Sequence, residues 1–274
     1  MAIHLGIGSP GRVEPHENET RKRSFGLAAE AYDAARPRYP AALFAAVAAH
    51  AGITPATRAL ELGSGTGIAT LPFAEMGSSI LGLELSDAMA EVARRKLARF
   101  PRVRIETTRF EDWSGAPGAF DLVFSAQAWH WMPPDVYERT RTLLRAGGTL
   151  AVFANWATSN LPEAQAAYRK HAPEVFTRQD GDPPEDVDSR LAEALGSFER
   201  SGCFDGIEAR RFPWERSFRA DEYVALIRTY SDHATLPPEV REPMLGDIAR
   251  AIDEAGGSVR RSYEAVLLLA RPAK

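Results

Sequence analysis

Glu61 stands two residues ahead of Gly63, Gly65 and Gly67, in the run Ala59-Leu60-Glu61-Leu62-Gly63-Ser64-Gly65-Thr66-Gly67. Glycines at alternate positions let the backbone turn tightly and let a ligand approach without meeting a Cβ. The run reads as a short apolar strand, an acid near its carboxyl end, and a turn that opens into a helix. In an open α/β sheet that turn is where a nucleotide-like ligand sits. A dinucleotide fingerprint requires G-x-G-x-x-G, with the pyrophosphate on the helix N-terminus. Here the last glycine of that pattern is replaced by Ile68. A carboxylate pointing into the turn would also repel a pyrophosphate, whereas it suits an ammonium group.

Further residues with chemical potential recur at predicted strand ends. Glu84 closes the second apolar run, where an acid accepts hydrogen bonds from both hydroxyls of a ribose. Met89 follows it, on an adenine side or in the core beside it. Phe110-Glu111-Asp112-Trp113 follows the third run; an acid there suits an adenine amino group and an aromatic suits the ring face. Glu111 and Asp112 are equal candidates. The fourth run leads into Ser125-Ala126-Gln127-Ala128-Trp129-His130-Trp131-Met132, which crowds Gln, His and Trp at the end of a central strand. His130 is read there as a general base, a hydrogen-bond donor to substrate, a cavity wall, or simply a structural residue. Arg36 and Arg38 flank a proline turn and can form bidentate hydrogen bonds to an anion, or surface ion pairs.

The elements that must position these groups alternate. Strands are expected at 58–62, 79–85, 103–107, 120–125, 149–153, 207–218 and 258–270, with helices between them, which implies parallel strands and right-handed crossovers. Ser86 is a predicted N-cap for a helix burying Met89, Val92, Ala93 and Leu97. Ahead of the first strand, helices are expected from 24 to 36 and from 41 to 51, ended by Pro37 and Gly52. The basic run Arg94-Arg95-Lys96 through Arg104 reads as a solvated helix face.

Composition narrows the class. The 274 residues carry a formal net charge of −4, which disfavours a binder working by phosphate neutralisation. A single cysteine, Cys203, excludes an intrachain disulfide framework and fits a reducing, cytoplasmic setting. No apolar run is long enough to span a bilayer, and no secretory signal is recognisable. No His/Cys cluster has metal-ligand spacing, and neither a glycosidase-type carboxylate pair nor a nucleophile elbow is present, so no metal is expected.

The motif E-x-G-x-G-x-G at Glu61–Gly67 resembles motif I of the class I S-adenosylmethionine (SAM)-dependent methyltransferases. The stretches Tyr32-Asp33-Ala34-Ala35-Arg36-Pro37-Arg38-Tyr39-Pro40, Phe110-Glu111-Asp112-Trp113, Ala128-Trp129-His130-Trp131 and Leu144-Arg145-Ala146-Gly147-Gly148-Thr149 extend the resemblance. They point to the subgroup similar to trans-aconitate methyltransferase and bacterial small-molecule methyltransferases. The resemblance covers residues from about Phe25 to Lys274.

It implies an α/β, Rossmann-like, seven-stranded, mostly parallel sheet with one antiparallel edge strand at 258–270, helices on both faces and a helical lid or insert. The implied organisation is a disordered tail at 1–20, N-terminal lid helices at 21–56, a SAM-binding core at 57–154, a substrate-covering insert at 155–204 and completion of the sheet at 205–274. The cofactor would be SAM, leaving as S-adenosylhomocysteine. Expected cofactor contacts are Glu61, Gly63, Ser64, Gly65, Thr66, Gly67, Glu84, Leu85, Met89, Glu111, Asp112, Trp113, Ser125 and Gln127. Expected substrate contacts are Tyr32, Arg36, Arg38, Tyr39, Trp129 and Trp131, with His130, His233 and Tyr230 as catalytic candidates. The expected partner is a small-molecule acceptor, methylated on O, N or a carboxylate, with no nucleic acid or membrane and a monomeric or homodimeric chain. Rival readings are an enzyme that cyclises or eliminates on SAM, and a silent SAM-binding protein. A nicotinamide oxidoreductase is disfavoured by Ile68 and Glu61.

Overall fold

The computed structural model describes residues 29–159, 161–173 and 187–274. The tail expected at 1–20, the expected start of the first helix at 24–28 and the middle of the expected insert at 174–186 lie outside the described residues.

Seven strands form one sheet: β1 (Arg58–Leu62), β2 (Ser79–Glu84), β3 (Val103–Thr107), β4 (Phe120–Ala126), β5 (Leu144–Ala157), β6 (Phe204–Arg219) and β7 (Ser258–Pro272). Their order is β3-β2-β1-β4-β5-β7-β6. β1 to β5 pair in parallel, and β7 is antiparallel to both β5 and β6. The expected mostly parallel sheet with one antiparallel strand is present. One detail differs: β7 lies one place in from the edge, and β6 forms the rim. Leu267, Leu268 and Leu269 are all fully buried, so successive residues are covered on opposite faces. Such a continuous apolar run belongs inside a sheet. β6 is exposed or half-exposed along most of its length, as an outer strand can be.

Helices cover both faces. α1 (Ala29–Ala35) and α2 (Ala41–Ala51) precede β1; α3 (Thr70–Glu75) follows it, and α4 (Asp87–Leu97) follows β2. Ser86 caps α4, its side chain accepting from the Met89 N–H, and the helix buries Met89, Val92, Ala93 and Leu97. Gly52 ends α2 in the left-handed conformation. On this face Phe44, Phe73, Phe124, Phe153 and Leu267 share one core. The opposite face holds α5 (Val136–Leu143) and α7 (Val187–Ser201), with Trp129, Val152, Trp156, Phe198 and Leu268. The alternation of Leu267 and Leu268 between two cores is the strand period at work.

A third cluster lies beyond the carboxyl ends of the parallel strands. It joins α6 (Pro162–His171), α8 (Ala220–Arg228) and α10 (Pro238–Glu254) to Ala35 of α1 and Tyr263 of β7, and α9 (Ser231–Ala234) meets α6 through the hydrogen bond between His233 and Tyr168. Asp247 of α10 accepts from Lys170 Nζ at 2.7 Å and contacts His171 Nε2 at 2.8 Å. The stretch at 155–204 therefore divides: α6 joins this cap, whereas α7 packs on the face of the sheet through Phe198.

Candidate active site

The turn after β1 is built on backbone that only glycine adopts freely. Gly63, Gly65 and Gly67 have φ of +72°, +55° and +77°. A Cβ on Gly63 would stand 2.5 Å from that of Ala128, so the backbone of the turn packs directly against the Ala128 methyl just beyond β4. The N–H groups of Gly63 and Ser64 both reach the Leu83 carbonyl, tying the turn to β2.

Two carboxylates bracket this turn. Glu84 Oε2 accepts from Gly65 N–H at 2.8 Å and Oε1 from Ser86 N–H at 2.9 Å, so its side chain is oriented before any ligand arrives. Burial raises its proton affinity, against the pull of those two N–H groups. Glu61 is 1% exposed. Its Oε2 accepts from Thr70 Oγ1, while Oε1 is buried with no hydrogen-bond partner. Burial pushes its pKa up to about 8, with the Thr70 hydroxyl opposing and the Glu84 charge adding. Ser64 Oγ is likewise buried and unpartnered. A buried polar atom left unmet costs about 1–3 kcal/mol, so two of them at one turn mark groups held for a ligand.

Glu61, Ser64 and Glu84 belong to the lining of one cavity, walled by the carboxyl ends of β1, β2 and β4, by α1, and by residues from the α8–α9 link and β7. Of the cofactor candidates, Glu61, Gly63, Ser64, Gly65, Thr66, Glu84, Leu85, Met89, Glu111 and Gln127 line it. Gln127 sits at a positive φ of +58° and donates from Nε2 to the Asn155 carbonyl at 2.9 Å. A strained non-glycine backbone at the end of a central strand is held by its surroundings. Tyr32, Arg36, Tyr39, Trp131 and Tyr230 line the cavity too.

The remaining candidates lie elsewhere. Gly67 abuts Leu97 under the turn, and Ser125 is fully buried, donating to the Leu62 carbonyl. Asp112 points outward, with 69% of its side chain exposed, so Glu111 is the member of that pair on the wall. Trp113 packs against Phe120. Trp129 is core: its ring stacks on Phe198, and its Nε1 donates to Tyr137. His130 is half-buried beside Trp131, outside the wall. Arg38 pairs with Asp33 at the surface. His233 is buried behind Tyr230, between Tyr168 Oη at 2.7 Å and Asp232 Oδ1 at 2.9 Å. Chain periodicity gives no sign of these outcomes, because each depends on which neighbour occupies the space beyond a strand end.

Wall residues outside the candidate set include Met132, Asn155 and Tyr263. Asn155 had a signal: it is an amide inside the apolar run of β5, where a polar group needs partners. Its Oδ1 accepts from Trp214 Nε1 and its Nδ2 donates to the Arg38 carbonyl. Tyr263 carried the same signal within β7.

The known proteins to which the chain is similar include methyltransferases. A family model described as "Methyltransferase domain" matches residues 59–148, from β1 to the glycine pair before the buried part of β5. The malonyl-[acyl-carrier protein] O-methyltransferase of Enterobacter lignolyticus is 31% identical over 198 residues, covering 69% of this chain and 67% of that one. The trans-aconitate 2-methyltransferase of Deinococcus radiodurans is 35% identical over 102 residues, or 36% of this chain and 38% of that one. A solved structure from Anaeromyxobacter dehalogenans, assigned by inference as a type II methyltransferase, superposes with a TM-score of 0.62 at 26% identity. It covers 86% of this chain and 97% of that one.

Proposed function

The chain belongs to the class I SAM-dependent methyltransferases, and from that premise we propose that this cavity binds SAM and a small-molecule acceptor side by side. The observation that carries the reading is the pair of pre-set carboxylates around a glycine turn. The unmet Glu61 Oε1 suits an ammonium, and Glu84, held by two N–H groups, keeps lone pairs for ribose hydroxyls. Glu111, on the wall beyond β3, suits the adenine end, with Met89 and Leu85 along the ring. Ser64 Oγ and the open backbone of Gly65 suit the amino-acid end.

SAM supplies a methyl group already activated on a sulfonium. The chain's own task is then to align the acceptor with that methyl and exclude water. Tyr32, Arg36, Tyr39, Trp131, Tyr230 and Tyr263 form the wall available for this. Tyr230 is the one catalytic candidate on that wall. His130 and His233 act at most through it or through Trp131. With no histidine among the described residues that line the cavity, the acceptor favoured is an O, N or carboxylate that is already deprotonated when it meets the methyl.

Isothermal titration tests the cofactor: SAM and S-adenosylhomocysteine bind, and NAD does not. The reverse order overturns the reading. Product analysis tests the chemistry, with S-adenosylhomocysteine expected as the product; methylthioadenosine would place the reaction on SAM itself.

A further inference from the structure

Gln127 is the only non-glycine among the described residues whose backbone lies in the left-handed region, at φ +58°. A side chain with a Cβ resists that conformation, and such strain persists where it serves a site. The residue follows directly on β4, and its N–H donates to the Phe153 carbonyl of β5. β4 lies between β1 and β5 in the sheet. Gln127 therefore stands at the border between two halves of the cavity. On one side are the turn, Glu61 and Glu84; on the other are Asn155 and Ala157 of β5 and Tyr263 of β7.

Chemistry fixes the direction of its carboxamide. Nε2 donates to the Asn155 main-chain carbonyl at 2.9 Å; a carbonyl only accepts, so the NH2 end faces β5. Asn155 is itself held from two sides. Its Oδ1 accepts from Trp214 Nε1 at 3.1 Å, and its Nδ2 donates to the Arg38 carbonyl at 3.3 Å. Gln127 Oε1 then points away from the Asn155 carbonyl. It takes no hydrogen bond from any described residue and, unlike Glu61 Oε1 and Ser64 Oγ, it is not buried. On a residue that lines the cavity, such an oxygen is open to what the cavity holds. A carboxamide oxygen accepts hydrogen bonds but is too weak a base to take a proton away.

We propose that Gln127 Oε1 receives an N–H of the methyl acceptor, and that this acceptor is an uncharged amine on an aromatic skeleton. The other nucleophiles fail at this oxygen. A carboxylate or a phenolate has no hydrogen to donate and sets its charge against the carboxamide oxygen. A hydroxyl can donate, but its proton has to leave on methylation. Oε1 does not take it, no histidine is among the described residues lining the cavity, and Glu61, Glu84 and Glu111 stand at the cofactor end. A neutral amine needs no base. Its lone pair forms the N–C bond as the C–S bond breaks, sulfur keeps the electrons of that bond as a thioether, and the positive charge passes to nitrogen. The N–H···Oε1 bond strengthens as that charge arrives, which favours the transition state over the ground state. The product ammonium gives its proton to water after release. Tyr39, Trp131, Tyr230 and Tyr263 line the same cavity, and their rings suit both an aromatic skeleton and the charge developing on nitrogen. This inference rests on the cavity taking SAM beside the acceptor.

The full chain is incubated with SAM and benzylamine, 2-phenylethylamine or tryptamine. Each amine stands beside the alcohol and the carboxylate of its skeleton: benzyl alcohol and benzoate, 2-phenylethanol and phenylacetate, tryptophol and indole-3-acetate. At least one amine is expected to gain a methyl group, read by mass, while its alcohol and carboxylate do not. Calorimetry with S-adenosylhomocysteine bound should show the same amine binding. Gln127→Asn tolerates the left-handed backbone but is one methylene shorter, and Gln127→Gly removes the strain altogether. Both should fold, keep their SAM affinity, and lower kcat/KM for the amine by about tenfold or more. If Gln127→Gly does not fold, Gln127→Asn decides the matter. Methylation of an alcohol or carboxylate in place of the amines overturns the proposal, as does methylation of none of these compounds by a chain that binds SAM. Folded variants with full turnover overturn it too, and variants that lose SAM affinity return Gln127 to the cofactor. Amine binding without SAM or S-adenosylhomocysteine binding overturns the cofactor reading alone; if nothing binds, both fall.

Discussion

Glu61 is the residue at which the site's electrostatics can be read most directly. Its ordinary pKa of 4.5 is raised to about 8 by burial, so at pH 7 the free chain holds it mostly protonated. An ammonium placed at Oε1 favours the ionised form and lowers that pKa again. SAM binding near pH 7 should therefore release up to about one proton. Titration calorimetry in buffers of different ionisation enthalpy measures this release, which Glu61→Gln should abolish; buffer-independent heats in the wild type would contradict it. The sign for folding is the reverse of the usual carboxylate case. Between pH 4.5 and about 8 the folded chain holds a proton that the unfolded chain lacks, so this group's contribution to stability falls as pH rises through that window. Glu61 and the glycines were legible as a set because their spacing along one turn is local, and Glu84 because it closes the next apolar run. His233 and Trp129 were legible only as chemistry, since Asp232, Tyr168 and Phe198 decide their surroundings.

At the scale of elements, α1 is strapped over the turn. Asp33 accepts from Thr66 Oγ1 at 2.6 Å and pairs with Lys96 of α4. Burial opposes the ionised form of Asp33, but the hydrogen bonds from Lys96 and Thr66 outweigh it and hold its pKa below the usual range. Arg36, at the end of the same helix, reaches Thr229 after α8, so one short helix spans the turn and the cap. A helix of seven residues is not stable by itself and depends on such ties. Asp33→Ala should cost about 1–2 kcal/mol locally. The expected result is amide exchange in α1 faster by about tenfold and faster SAM dissociation, with exchange in the central strands unchanged. Unaltered α1 exchange would show that the strap carries no stability. The helix was legible from its apolar spacing and Pro37; the anchors at Thr66 and Thr229 were not, being 33 and 193 residues away from their partners.

For the whole molecule, the cavity draws its walls from α1, the carboxyl ends of the parallel strands, the α8–α9 link and β7. A ligand there couples the sheet to the cap, so its binding free energy adds to that of the whole fold. At about one hundred times Kd, S-adenosylhomocysteine should add about 2.7 kcal/mol, raising Tm by about 5–10 °C. Thermal unfolding with and without S-adenosylhomocysteine checks this. A shift confined to a separate partial transition would mean that the cap unfolds independently of the sheet.

The sequence alone determined the alternating elements, the parallel sheet, the tight turn and the acids at successive strand ends. Those features rest on side-chain period, glycine freedom and residue spacing, all of which act within a few positions. Tertiary structure alone decided that β7 lies inside β6, that Glu111 rather than Asp112 faces inward, and that Trp129 is core. It also brought Arg36, Tyr230 and Tyr263 to the wall of one cavity. Strand order and inward facing are settled by pairing and packing between segments far apart in the chain, where local pattern exerts no force.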